Sequence, residues 1–205
     1  KVLGCSKPDM YNYVCDLIAS LIQNPQIRSQ RLYVLSSIAQ GTGKSSLHAL
    51  LRALMSEKYV VFHNSLDRLF CNFNIVNAFK IVVFVDDIRS ASQNKTRKLY
   101  PLATQPTSVI EQKGRKPVTV DEYCNIFITG NDESVLFCTS EDRRQVILKV
   151  SDELKQNRSF FDKLYGEFQD RDKMKAVYEY FKARDIKTFH PSQDPPSDHK
   201  AENIR

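Results

Sequence analysis

Apolar residues are spaced along this 205-residue chain with two alternating rhythms. Met10, Tyr13, Val14, Leu17, Ile18 and Leu21 fall at helical spacing. They predict an amphipathic helix that ends before Pro25, with Ser6 as N-cap and Asp9 reaching back from three residues on. Short continuous apolar runs follow and read as buried strands over residues 32–36, 59–62, 80–85, 124–129 and 145–150. The run 80–85, Lys-Ile-Val-Val-Phe-Val, is apolar on both faces, as a central parallel strand should be. Helices are predicted over 44–57 and 90–104, the second stopping near Pro106. A short helix near 65–70 is the expectation within the ambiguous stretch 63–79. Residues 107–120 predict a hairpin with a polar, glycine-containing tip. From 153 to 184 two or three helices are expected, with Phe160, Phe161, Leu164, Tyr165 and Phe168 on one face. After Asp185 the chain turns polar and rich in proline (Pro191, Pro195, Pro196), which reads as a linker with little structure of its own.

Strands alternating with helices imply an α/β fold whose mainly parallel sheet is flanked by helices. The expected organisation is an N-terminal helical segment (1–30), a core (31–152), C-terminal helices (153–186) and a polar tail (187–205).

Residues 40–46, Gln-Gly-Thr-Gly-Lys-Ser-Ser, follow the first strand and precede a helix. A glycine loop in that setting turns backbone N–H groups toward phosphates. Gln40, Gly41, Thr42, Gly43, Lys44, Ser45 and Ser46 are the candidate nucleotide-binding residues. Lys44 reaches the β/γ-phosphates and Ser45 can hold Mg²⁺. The ligand class is thus a nucleoside triphosphate. One departure stands out: the full pattern places a glycine five residues before Gly43, where this chain has Ile38.

A phosphate loop needs a magnesium partner, and Val82-Val83-Phe84-Val85-Asp86-Asp87 supplies one. Carboxylates at the end of a buried strand emerge at the carboxyl edge of the sheet, where ligands bind. Asp86 is placed to hold Mg²⁺ opposite Ser45, and Asp87 can polarise an attacking water. A third apolar strand ends in Gly130-Asn131-Asp132. Asn131 can read the γ-phosphate, or the three residues are a plain turn. Arg143 and Arg144 precede the last strand; arginines there can stabilise a transferring phosphoryl group from within the chain or from a neighbouring subunit, or simply face solvent.

Composition changes this picture little. A hydrophobic content of 41% and a charged content of 26% describe an ordinary globular protein. No apolar run approaches the ~18 residues of a membrane span. The chain starts at Lys1 with no signal-peptide pattern, and the expectation is a piece of a longer polypeptide. Its five cysteines are scattered without a C-x-x-C pair, which predicts free thiols in a reducing compartment. The four histidines form no cluster and receive no catalytic role. The net charge of +6 matters through its distribution. Arg89, Lys95, Arg97, Lys98, Lys113, Arg115 and Lys116 crowd one segment that holds Glu111 as its only acid. Lys113, Arg115 and Lys116 flank the hairpin tip, where they can neutralise nucleic-acid phosphates without sequence preference or be a solvated turn.

The order of these parts resembles the superfamily 3 helicases, compact AAA+-like P-loop ATPases of DNA viruses and mobile elements. More narrowly it is similar to the helicase half of poxvirus-type primase-helicases and their plasmid and phage relatives. The resemblance is carried by Gln40-Gly41-Thr42-Gly43-Lys44-Ser45, Phe84-Val85-Asp86-Asp87, Glu111-Gln112-Lys113-Gly114, Phe127-Ile128-Thr129-Gly130-Asn131 and Asp142-Arg143-Arg144. The stretch Tyr180-Phe181-Lys182-Ala183-Arg184-Asp185-Ile186, with Phe189, Pro191 and Pro195, extends it. It implies ATP and Mg²⁺ as cofactors and ATP-driven translocation on single-stranded DNA during replication. By position it makes Asp86 and Asp87 the Walker B acids, Asn131 the γ-phosphate sensor, and Arg143 or Arg144 the arginine finger acting on the next subunit of a homo-hexamer. Lys113 becomes the basic tip of the DNA-gripping hairpin. A primase-type domain upstream is also implied, with a cytoplasmic or nuclear replication site of a virus or mobile element as the location and no membrane partner. Asp87 is one methylene shorter than the commoner Glu. Other readings are an AAA+-type replication initiator, loader or packaging ATPase that does not unwind DNA, a small-molecule phosphotransferase, and a non-catalytic module with a degenerate loop.

Overall fold

The computed structural model describes residues 8–37, 39–71, 74–86, 93–130 and 144–196. Helix α1 (Pro8–Gln23) opens on a proline, which is preset for the first helical position. It buries Met10, Tyr13, Val14, Leu17, Ile18 and Leu21, the residues of the helical pattern. Ser6, its expected cap, lies outside the described residues. Strand β1 (Leu32–Ser36) and helix α2 (Ser45–Met55) follow, then β2 (Val60–His63), β3 (Val82–Val85) and α3 (Gln93–Thr104). A hairpin of β4 (Thr107–Ile110) and β5 (Val118–Asp121) comes next. The chain continues through β6 (Asn125–Gly130), β7 (Gln145–Lys149), α4 (Arg158–Gln169) and α5 (Arg171–Ala183).

Five strands form one parallel sheet in the order β2-β3-β6-β1-β7. The three central strands, β3, β6 and β1, are buried at every position and mostly apolar, because both faces of the sheet are covered. Tyr33, Leu35, Phe84 and Phe127 face a core built with α1, α2 and Phe181 of α5. Leu32, Val34, Val83, Ile126 and Ile128 face a second core with Leu99 and Ala103 of α3. Three aromatic rings tie adjacent strands together on the first face. Tyr33 stacks on Phe127 at 4.7 Å, and Phe127 on Phe84 at 4.9 Å, both pairs within 19° of parallel. Such offset pairs contribute about 0.5–1.5 kcal/mol each beyond their buried area.

The stretch 63–79 holds no α-helix among its described residues. In place of the helix expected near 65–70 there is a 3₁₀ turn, Leu66–Arg68, whose Ser65 side chain accepts from the Asp67 N–H. A second 3₁₀ turn spans Ile75–Asn77. The polar tail also differs from a free linker over 186–196. It has no helix or strand, yet Ile186 and Phe189 pack on the first core, Phe189 edge-on to Tyr13 at 5.7 Å. The Tyr33 hydroxyl donates to the Pro191 carbonyl, and the buried Arg31 guanidinium donates to the Ser192 carbonyl and pairs with Asp194 at 3.0 Å.

Arg28 binds the amino edge of the sheet to α3. Its guanidinium donates to the carbonyls of Cys124, Gln105 and Leu102. Two of these acceptors lie at or just past the end of α3, where a cation also complements the helix dipole. Arg28→Met is expected to lower the unfolding free energy by about 3 kcal/mol, since it strands partly buried carbonyls. A urea titration checks this, and an unshifted midpoint would remove Arg28 from the account of the fold.

Candidate nucleotide site and basic hairpin

The glycine loop leaves β1 at the carboxyl edge of the sheet. Gly41 (φ 71°) and Gly43 (φ 91°) both sit in the left-handed region that glycine adopts without strain. At Gly41 the space is short as well: a Cβ there would stand 3.3 Å from Gln156 Cγ. The Gly41 carbonyl accepts the Gln156 N–H at 3.0 Å, so the loop is pinned to the segment that leads into α4. Helix α2 starts at Ser45 with no side-chain cap from Lys44 and no acidic residue in its first turn. The positive end of the helix is therefore left to an anion.

Side chains hold the loop in shape. Lys44 Nζ donates to Ser37 Oγ at 2.8 Å, and Ser37 Oγ is hydrogen-bonded to Thr42 Oγ1 at 3.0 Å. The Ser46 hydroxyl donates to the Gly43 carbonyl at 2.7 Å. Ser46 is buried and structural in this geometry, whereas Ser45 is exposed to the cleft. Asp86 follows β3 directly, and its N–H donates to the His63 carbonyl at 2.9 Å. Its carboxylate accepts a hydrogen bond from Thr129 Oγ1 of β6. The register explains the meeting: Val85 pairs with Ile128, so the next residues on β3 and β6 are Asp86 and Thr129.

Gln40, Gly41, Thr42, Gly43, Lys44, Ser45, Asp86 and Thr129 line one open pocket of about 450 Å³, and Phe161 and Tyr165 of α4 complete it. That volume suits a nucleotide-sized ligand. Burial, and after it the nearby Asp86 carboxylate, hold the Tyr165 phenol above its ordinary pKa. It is thus a protonated donor at neutral pH. The Ser45 hydroxyl and the Asp86 carboxylate are hard oxygen donors on one pocket. That donor set fits Mg²⁺, which takes one or two protein oxygens and keeps several waters.

Of the residues expected to act together, Gln40 to Ser45 and Asp86 converge here. Asp87, Asn131 and Arg143 lie outside the described residues, as does Ile38. Arg144 does not join the pocket. It precedes β7 at the amino edge of the sheet, and its carbonyl accepts the Leu32 N–H at 2.8 Å. Its guanidinium lies 3.6 Å over the Tyr100 ring, whose hydroxyl accepts from Gln145 Nε2. Lys113, Arg115 and Lys116 are exposed at the tip between β4 and β5, where Gly114 (φ 77°) makes the turn. The hairpin is braced at both ends of its first strand. The Glu122 N–H donates to the Pro106 carbonyl, and the Asn74 side chain donates to the Val109 carbonyl and accepts the Glu111 N–H.

Sequence reasoning missed Ser37, Thr129 and the aromatic pair of α4. Thr129 could have been found by aligning β3 and β6 as parallel neighbours. Ser37 carries no pattern of its own.

A family profile described as a family of unknown function (DUF5906) matches residues 35–144, more than half of the chain. The chain belongs to this family. The matched interval runs from the end of β1 through the glycine loop, Asp86 and the hairpin to Arg144. A DNA primase-polymerase of Nitratiruptor phage NrS-1 is 28% identical over 134 residues, which make up 62% of this chain and 18% of that protein. The apo C-terminal region of NrS-1 superposes with a TM-score of 0.83 at 20% identity, over 98% of this chain and 48% of that one. A crystal structure of JCV helicase with a bound acetamide compound superposes with a TM-score of 0.52 at 15% identity, over 91% of this chain and 54% of that one. The chain therefore spans about half the length of these structures and a smaller part of the phage protein. It shares its α/β fold with both structures. Among the described residues, no helix is long and apolar enough to cross a membrane.

Proposed function

We propose that this chain is the ATPase motor of a superfamily 3 type DNA helicase, working as a homo-hexamer on single-stranded DNA during replication. The observation that carries the reading is the convergence of Lys44, Ser45, Asp86 and Thr129 on one pocket at the carboxyl edge of the sheet. In this reading the loop N–H groups and the start of α2 hold the phosphates. Lys44 turns from the Ser37 hydroxyl to the anionic β/γ-oxygens, a stronger bond because the acceptor is charged as well. Ser45 and Asp86 would hold Mg²⁺, which when bound neutralises charge on the transferring group. Thr129 fixes one oxygen of Asp86 and leaves the other for the ion or its waters. Asp87 polarises the attacking water, Asn131 reads the γ-phosphate, and an arginine of the Arg143-Arg144 pair reaches the site of the neighbouring subunit. The name of the phage relative supports a primase-type domain elsewhere in the full protein.

The deciding experiment is ATP hydrolysis with and without single-stranded DNA, followed by displacement of a labelled strand. Stimulated hydrolysis with displacement is expected. Stimulated hydrolysis without displacement would favour an initiator, loader or packaging ATPase. No hydrolysis in either case would sink the proposal.

The hairpin has its own test. Each phosphate contact on a single strand contributes about 0.7 to the slope of log affinity against log salt. Replacing Lys113 and Arg115 together by Ala is expected to weaken single-strand binding about tenfold at low salt and to flatten that slope by about 1.4. Fluorescence anisotropy across a salt series measures both. Unchanged affinity and slope would leave the tip a solvated turn.

A further inference from the structure

One face of α4 is aromatic without being a core face. Phe160, Phe161, Tyr165 and Phe168 form a chain of ring contacts along it, yet no residue of α4 is fully buried. A ladder of that kind on a helix that packs only in part leaves ring surface for something else. Two of the rings, Phe161 and Tyr165, border the phosphate-loop pocket. They are one helical turn apart, with centroids at 6.5 Å and planes tilted by 34°. The two walls of the pocket thus differ in kind. One is a glycine loop with Lys44 and Asp86, suited to phosphates and a cation. The other is flat, apolar and aromatic.

The position of α4 is fixed by the loop itself. Gln156, whose φ of 55° is in the left-handed region, gives its N–H to the Gly41 carbonyl at 3.0 Å. Asn157 then caps the helix by accepting the Phe160 N–H at 3.0 Å. The turn that carries Phe161 is therefore held against the glycine loop. Tyr165, one turn further on, lines the same pocket as Asp86. The aromatic wall runs alongside the loop from Gly41 toward Asp86.

From this geometry we infer that Phe161 and Tyr165 form the nucleoside-binding wall of the site, stacking on the base and sugar of the nucleotide whose phosphates the glycine loop holds. The inference rests on the nucleoside-triphosphate reading of that loop. A ligand with a polyanionic end and a flat heteroaromatic end matches a pocket with one wall of each kind. Base-on-aromatic stacking is strong and tolerant of base identity, because every base has a π-face.

The test separates the nucleoside from its phosphates. Titration calorimetry on the full-length protein, with Mg²⁺ throughout, compares ATP, ADP and inorganic tripolyphosphate. Phe161→Ala and Tyr165→Ala are each expected to weaken ATP and ADP about tenfold and to leave tripolyphosphate unchanged. Phe161→Trp and Tyr165→Phe, which keep a ring, are expected to hold wild-type affinity. Equal losses for ATP and tripolyphosphate would mean that the substitutions disturb the loop, and the wall assignment would fall. Unaltered ATP affinity in both alanine variants would also overturn it. Failure of the wild-type protein to bind either ATP or tripolyphosphate would instead overturn the phosphate-loop reading beneath it.

Discussion

Lys44→Ala is expected to lower single-strand-stimulated ATP hydrolysis by about 10²–10³-fold, the usual cost of losing one preorganised group at a developing charge. The ammonium is the one cation among the described residues that line the pocket, and the loop geometry supports its position. Ser37 and Thr42 hold it within a short hydrogen-bonded chain over the loop. Removing the ammonium leaves that chain, the glycine turns and the start of α2 in place, so the fold should persist and the melting temperature should barely move. Ser37→Ala is the matched control. It removes the hydroxyl that bonds the Ala39 carbonyl, Thr42 Oγ1 and the Lys44 ammonium, but no charge, and should cost hydrolysis no more than about fivefold. Phosphate release at saturating ATP and DNA measures both. If Lys44→Ala retained most of its activity, the loop would not be the catalytic phosphate site, and the role of Asp86 would fall with it.

The division between what the residues announce and what they hide is physical. Strands β1, β3, β6 and β7 are legible because a doubly covered parallel strand must be apolar at nearly every position. The glycine loop is legible because Gly41 and Gly43 satisfy a backbone demand that few other residues meet. Thr129 is not, because its function depends on which strand lies beside β6 and in what register. The same holds for Tyr100, which meets Arg144 and Gln145 only after α3 has packed under the far end of β7. Phe161 and Tyr165 read as an ordinary packing stripe, since periodicity reports a face and not what covers it. The tail reads as a linker because only Ile186 and Phe189 are apolar anchors within it. Beside the Asp194 carboxylate on Arg31, what holds it otherwise are backbone carbonyls, at Pro191 and Ser192, taken by Tyr33 and Arg31. Carbonyls leave no trace in a sequence pattern.

The two ends of the parallel sheet have separate contents. The pocket lined by the glycine loop lies at the carboxyl edge, next to the ends of β1, β3 and β6. The base of the hairpin, the Arg28 brace and Arg144 lie at the amino edge. Five residues of β7 separate Arg144 from the carboxyl edge, roughly 16 Å at the usual strand rise. In the proposed motor, an arginine at that end could not serve the ATP of its own chain without a large movement. It can serve a neighbour stacked against this face, which is the arrangement a ring of identical subunits provides.

The neighbouring arginines can then be told apart. The Arg144 guanidinium is stacked on Tyr100 within its own chain, so its removal should act on stability. Arg144→Ala is expected to lower the melting temperature by about 2 °C, from a cation–π contact of about 0.5–1 kcal/mol, and to leave hydrolysis within about threefold. Arg143→Ala is expected to melt like the wild type, to bind ATP within about twofold of it, and to lose about 10³-fold in hydrolysis, the effect of a missing arginine finger. Mixing decides whether the finger acts between subunits. In a randomly assembled one-to-one mixture of Lys44→Ala and Arg143→Ala chains, roughly a quarter of the interfaces join an intact loop to an intact finger. The mixture should recover about that share of wild-type hydrolysis although each variant alone is inactive. Zero recovery would show that loop and finger must reside in one chain. A reversed pair of phenotypes, with Arg144→Ala inactive at an unchanged melting temperature, would transfer the role to Arg144 and require it to leave Tyr100 when ATP binds.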